Sequence, residues 1–120
     1  MKLFDSEWKV MEVLWQENDR TAKEISLRLA DSIGWNKNTT YTVIKRLGER
    51  GVLKNENGIV TALVSKEEAQ SWEIDELVEK KFEGSLPAFI AAFTRRQDLS
   101  DDELDEVQQM IDRIRRGEKS

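Results

Sequence analysis

Neither cysteine nor histidine occurs anywhere in the 120 residues of this chain. The two absences remove the thiolate and imidazole ligands of most metal sites, the nucleophilic thiol and the commonest general base at neutral pH. No metal, no cofactor and no catalytic residue are therefore expected. Carboxylates abound, but no pair of them carries the apolar surroundings that acid–base work requires, which argues against an enzyme. The chain also lacks an apolar run approaching about 18 residues and a basic-then-apolar leader, so neither a membrane span nor a secretory signal is expected. A cytoplasmic protein is the reading. Repeats and low-complexity segments are missing too.

What is present concentrates between Trp35 and Asn55, WNKNTTYTVIKRLGERGVLKN. Asn36 suits an N-cap, and Thr40, Val43, Ile44 and Leu47 fall at i, i+3, i+4 and i+7, the buried stripe of a helix that Gly51 ends. The other face carries Asn38, Tyr41, Thr42, Lys45 and Glu49, flanked by Lys37, Thr39, Arg46 and Arg50. From Asn36 to Asn55 there are five basic residues against one acidic, a local +4 in a chain whose net charge is −5. Asn, Thr and Tyr can bond base edges or phosphate oxygens, and Lys and Arg neutralise phosphates, so this helix suits a major groove. The expected DNA contacts are Lys37, Asn38, Thr39, Tyr41, Thr42, Lys45, Arg46 and Arg50. Thr42 and Lys45 are placed on base edges, Lys37 and Arg46 chiefly on phosphate.

Net acidity would argue against a nucleic-acid partner, because phosphate contacts supply much of the affinity. The acid is unevenly distributed. Met1 to Val64 holds ten basic and nine acidic residues, whereas Ser65 to Ser120 holds nine basic and fifteen acidic. Two functional regions follow, with the DNA candidate in the first.

Leu3, Phe4, Trp8, Met11, Leu14 and Trp15 open the chain with helical spacing, capped by Asp5 or Ser6. Asn18-Asp19 then turns, and Thr21 with Glu24 has the spacing of a capping box for a second helix lined by Ala22, Ile25, Leu29 and Ile33 and closed by Gly34. After the basic helix, Val52–Asn55 and Ile59–Leu63 flank Asn57-Gly58, the signature of a tight type I′ hairpin. Three helices and a two-stranded hairpin make a winged helix-turn-helix. Three more helices follow, opened by Ser65/Glu68, by Ser85-Leu86-Pro87 after the break at Gly84, and by Ser100/Glu103. Their apolar positions include Leu86, Phe89, Ile90 and Phe93, then Leu104, Val107, Ile111 and Ile114, the last four stepping by threes and fours like a seam that wants a helical partner. Helices this short have too little mutual surface for a core of their own, and a second copy would complete it. The fold class expected is thus mainly α with a small β-hairpin: a winged helix-turn-helix domain over 1–64 and a three-helix dimerisation region over 65–120.

Nearly the whole length resembles the penicillinase-repressor family (BlaI/MecI/CopY). SEWKVMEVLW (Ser6 to Trp15) is similar to that family's first helix and TAKEI (Thr21 to Ile25) to the start of its second. Trp35, Thr39, Thr42, Arg46, Leu47 and Gly51 match its recognition-helix pattern, and LVSKEEA resembles its step into the dimerisation domain. The resemblance implies a homodimeric repressor on a palindromic double-stranded operator, reading it through Thr39, Thr42, Arg46 and their neighbours. It further implies a signalling protease acting within the dimerisation domain, commonly at an Asn-Phe bond; here the matching bond is Ala92-Phe93, with no Asn. The copper branch's C-terminal cysteine motif is absent as well. The wing is two or three residues shorter than the family's, and Ile59 stands where a basic residue is common. The competing expectation is a winged-helix adaptor that binds protein, against which the +4 helix argues.

Overall fold

A computed structural model describes residues 1–95 and 98–118. The elements run α1 (Asp5–Gln16), β1 (Arg20–Thr21), α2 (Ala22–Ile33), α3 (Lys37–Glu49), β2 (Leu53–Glu56), β3 (Ile59–Ala62), α4 (Lys66–Lys81), α5 (Leu86–Thr94) and α6 (Asp101–Arg115). The chain forms two compact units, Met1–Leu77 and Val78–Ser120. The 64/65 boundary expected from the sequence therefore differs from the one observed. Most of α4 belongs with the first unit because Ala69 is buried in its core, Trp72 packs on that core, and Trp8 Nε1 donates to Glu73 Oε1 at 3.1 Å.

In the first unit α1, α2 and α3 each contribute one apolar stripe. Val10, Met11 and Leu14 meet Ile25 and Leu29, then Val43, Ile44 and Leu47, and Val52, Leu53 and Val60 close the core from the strand side. Trp8 and Trp15 pack edge to face at 5.3 Å between centroids, and Trp15 Nε1 donates to the Val64 carbonyl at 2.9 Å. Both tryptophans are thus partly buried packing groups, each with its polar N–H satisfied.

Local chemistry explains where the helices start and stop. Thr21 and Glu24 form the reciprocal capping box at α2, with 3.1 Å bonds in both directions. Gly34, at φ 73, takes the left-handed conformation that lets its N–H reach back to Ala30. The cap of α1 is a correction: Phe4, not Asp5 or Ser6, holds the cap position, and Asp5 is already helical. Glu7, three residues on, accepts from the Phe4 N–H at 2.8 Å, so the cap bond comes from the glutamate and the cap residue needs no polar side chain. Phe4 itself is exposed, as is Ile33, which leaves the inner face of α2 one residue shorter than its spacing suggests.

The hairpin has the expected two-residue turn. Glu56 pairs with Ile59, and Asn57 and Gly58 both have positive φ, 55 and 81, as a type I′ turn demands. A third strand joins it: β1 pairs antiparallel with β3, giving the order β1-β3-β2. The Asn18-Asp19 turn is tied to the same strand, since Asn18 Oδ1 accepts from the Ala62 N–H at 3.0 Å and the Thr61 hydroxyl donates to Asp19 at 2.7 Å.

In the second unit Ser85 caps α5 by accepting from the Ala88 N–H at 3.1 Å, and Ser100 and Glu103 form a full capping box at α6. Phe82, Phe89 and Phe93 form a chain of rings, with centroids 5.6 and then 6.2 Å apart. No residue of α5 or α6 is buried within the chain.

Candidate nucleic-acid interface

The organising element is α3, because its buried stripe fixes which residues point away. Thr40, Val43, Ile44 and Leu47 face the core. Lys37, Asn38, Thr39, Thr42, Lys45 and Arg46 are exposed, and Tyr41 is half-buried. At the N-terminus Asn36 Oδ1 accepts from the Thr39 N–H at 2.8 Å and from the Thr39 hydroxyl at 3.1 Å. Lys37 Nζ lies 5.4 Å from the centre of the Tyr41 ring one turn on, a cation–π contact that orders both side chains on the outer surface. Asn38, Thr42 and Lys45 make no side-chain hydrogen bond or ion pair among the described residues. On β1 and α2 the arginines are matched: Arg20 is bound to Glu17 and Glu24, and Arg28 lies 3.9 Å from Glu17.

Two of the expected contacts are differently placed. Arg50 is mostly covered, donating to Glu7 and to the Lys2 carbonyl and lying 5.8 Å from the Phe4 ring centre. Arg46 remains half-exposed while its Nε donates to Glu7 Oε2 at 3.3 Å and its Nη2 to the Ser6 hydroxyl at 2.8 Å. Glu7 is completely buried. Burial pushes its carboxyl upward, but the Arg50 hydrogen bond, the Phe4 N–H, the Arg50 charge and the Arg46 hydrogen bond together outweigh that and hold it below 4.5. Glu24, on the surface, is lowered further, to about 2, chiefly by its hydrogen bond from Arg20 and then by Thr21.

Glu7 was missed among the functional candidates, although its position carried a signal. Glu7, Val10, Met11 and Leu14 stand at i, i+3, i+4 and i+7, so a carboxylate occupies the core stripe of α1 and requires a cation from a neighbouring element.

Beside α3 lies an open groove of about 850 Å³, bounded by the hairpin and lined in part by Tyr41, Ile44, Lys45, Leu53, Lys54 and Leu63. The hairpin contributes one basic residue, Lys54, which lies 3.7 Å from Glu56, and Ile59 beside the turn is exposed. Its capacity for phosphate contact is correspondingly small.

The family model described as penicillinase repressor matches residues 3–113. The chain belongs to that family. It is a family of DNA-binding regulators, not of enzymes. Among penicillinase-repressor relatives, the methicillin resistance regulatory protein MecI of Staphylococcus aureus (strain N315) is 24% identical over 116 residues, covering 93% of this chain and 94% of its own length. MecI of Staphylococcus epidermidis aligns to the same extent. The penicillinase repressor of Bacillus licheniformis is 22% identical over 122 residues, 98% of this chain and 95% of its own.

In this member of the family, the residues expected at a dimer interface form apolar surface on the second unit. Leu86, Ile90 and Phe93 of α5 and Leu104, Val107, Ile111 and Ile114 of α6 are exposed, as is Met110, while Phe89 is half-buried between two rings. Ala92 is half-buried and Phe93 exposed, and both lie inside α5. Thr94 Oγ1 donates to the Ile90 carbonyl at 2.8 Å across this bond.

Proposed function

We propose that this protein is a homodimeric transcriptional repressor that binds a palindromic operator with α3 in the major groove. The observation that carries the reading is the outer face of α3: Lys37, Asn38, Thr39, Thr42 and Lys45 all point outward from a rigidly packed helix, and the cations there are not neutralised by neighbouring carboxylates. The relatives named as resistance regulators and as a penicillinase repressor support it. Thr42 and Lys45, central on the face, meet base edges, while Lys37 and Arg46 meet phosphates, with Asn38, Thr39 and Tyr41 adjusting the fit. Arg50 ties α3 to α1. A cytoplasmic location follows from such a role.

The exposed apolar positions of α5 and α6 are matched by a second copy, which places two recognition helices on two half-sites. A protease reads extended backbone, so a cut at Ala92-Phe93 needs the end of α5 to unwind, and Ala stands where related repressors of the β-lactam branch commonly carry Asn. These two features favour a releasing signal other than a cut at that bond. Selecting bound sequences from random duplex DNA, then measuring gel shifts of the selected duplex at increasing salt, tests the main claim. A palindromic consensus with affinity falling steeply with salt is expected. An adaptor would select no consensus.

A further inference from the structure

Glu7 brings together three facts that the recognition face alone does not explain. It is a carboxylate with no exposed surface, it sits on the core stripe of α1, and its two cationic partners are Arg46, in the C-terminal half of α3, and Arg50, the residue that caps that helix. The partners are unequal. Arg50 is engaged on two of its nitrogens and lies against the Phe4 ring. Arg46 uses Nε toward Glu7 and one hydrogen of Nη2 toward Ser6, which leaves Nη1 and the second hydrogen of Nη2 without a partner among the described residues, at a half-exposed position. A guanidinium bonded along one edge is fixed in plane and direction, and its opposite edge has the fork geometry that phosphate oxygens accept.

We propose that Glu7 is a positioning residue for DNA binding: with Ser6, it orients Arg46 so that the free edge of the guanidinium meets one backbone phosphate, while its second oxygen retains Arg50 as the tie between α1 and α3. The inference rests on the reading that α3 enters DNA. It yields a sign that charge alone would not give. Glu7→Gln removes a negative charge beside a polyanion, which by itself should tighten binding and leave the number of phosphates contacted unchanged. If Glu7 orients Arg46, the same substitution weakens binding.

The test is a double-substitution cycle on the full-length protein and a selected duplex, with Kd measured across a salt series and folding checked by circular dichroism. Glu7→Gln should weaken binding roughly three- to tenfold, the size expected when a charge-assisted contact is disordered. It should also lower the salt slope toward that of Arg46→Gln. In the Arg46→Gln background it should add no further loss. A purely structural role would instead weaken both backgrounds equally and leave the slope alone. Ser6→Ala, at a half-exposed site, removes the second anchor and should shift Kd in the same direction by a smaller factor. Tighter or unchanged binding by both Glu7→Gln and Ser6→Ala, or equal losses with and without Arg46, would overturn the proposal. Failure of the unsubstituted protein to bind any duplex at low salt would instead overturn the DNA-binding reading and this inference with it.

Discussion

At the scale of single residues, two buried polar groups on the helical faces behave oppositely. Glu7 is over-provided with partners, and its carboxyl lies below its ordinary value, so the folded state favours the charged form. Its contribution to stability is fully present above about pH 4.5, the ordinary value of a glutamate, and is lost as pH falls through the lower folded value. The difference in unfolding free energy between the native protein and Glu7→Gln should therefore be constant near neutrality and shrink below pH 4.5; urea titrations at several pH values measure it. Glu24, lowered to about 2, extends the acid-sensitive window in the same direction. Thr40 is the converse case. It is completely buried, and its hydroxyl finds no partner among the described residues. An unsatisfied buried hydroxyl costs about 1–3 kcal/mol, so Thr40→Val, similar in shape, should raise stability by about 1 kcal/mol in denaturant unfolding. The burial of Thr40 follows from the helical spacing of α3. Its lack of a partner depends on what surrounds it, which spacing does not encode.

At the scale of elements, legibility followed how local the deciding interaction was. The Thr21/Glu24 and Ser100/Glu103 boxes and the Asn57-Gly58 turn rest on residues within three positions of one another, and each formed at the expected place. The α1 cap is equally short in range, but it was hidden because the polar partner stood at the third helical position while a phenylalanine held the cap. Strand β1 is two residues long and exists through its pairing with β3, so periodicity had nothing to register. Helix α4 was legible as a helix, but its division from the second unit depends on Ala69 and Trp72 reaching the core built by the first three helices. The same distinction applies to α3: its outward residues were readable from spacing, whereas the capture of Arg46 and Arg50 by Glu7 bridges about forty positions. The two kinds of DNA contact proposed for α3 make separable predictions. Lys37→Ala should weaken binding to every duplex and lower the salt slope by about one unit, whereas Thr42→Ala should relax preference at one base position and leave the slope in place. Competition assays against single-position variants of the selected site distinguish them.

At the scale of the whole molecule, the proposed dimer rests on the apolar surface of α5 and α6. Leu104, Val107, Met110, Ile111 and Ile114 leave one short helix with an exposed apolar surface that a second copy would cover in that proposal. Ile111→Asp would bury an uncompensated carboxylate twice in a symmetric dimer, raising the dimer dissociation constant by about a hundredfold or more. Sedimentation at micromolar concentration should then find a monomer; an unchanged dimer would remove α6 from the interface. Acid in the second region and base on α3 fit the proposed division of roles, since a polyanion repels the first and attracts the second. The most direct test of the account is equilibrium binding of the native protein to a selected palindromic duplex and to its isolated half-site across a salt series. The account predicts two chains on the full site, affinity falling linearly with salt on logarithmic axes, and much weaker binding to the half-site. Equal affinity for full and half sites, or binding indifferent to salt, would contradict it.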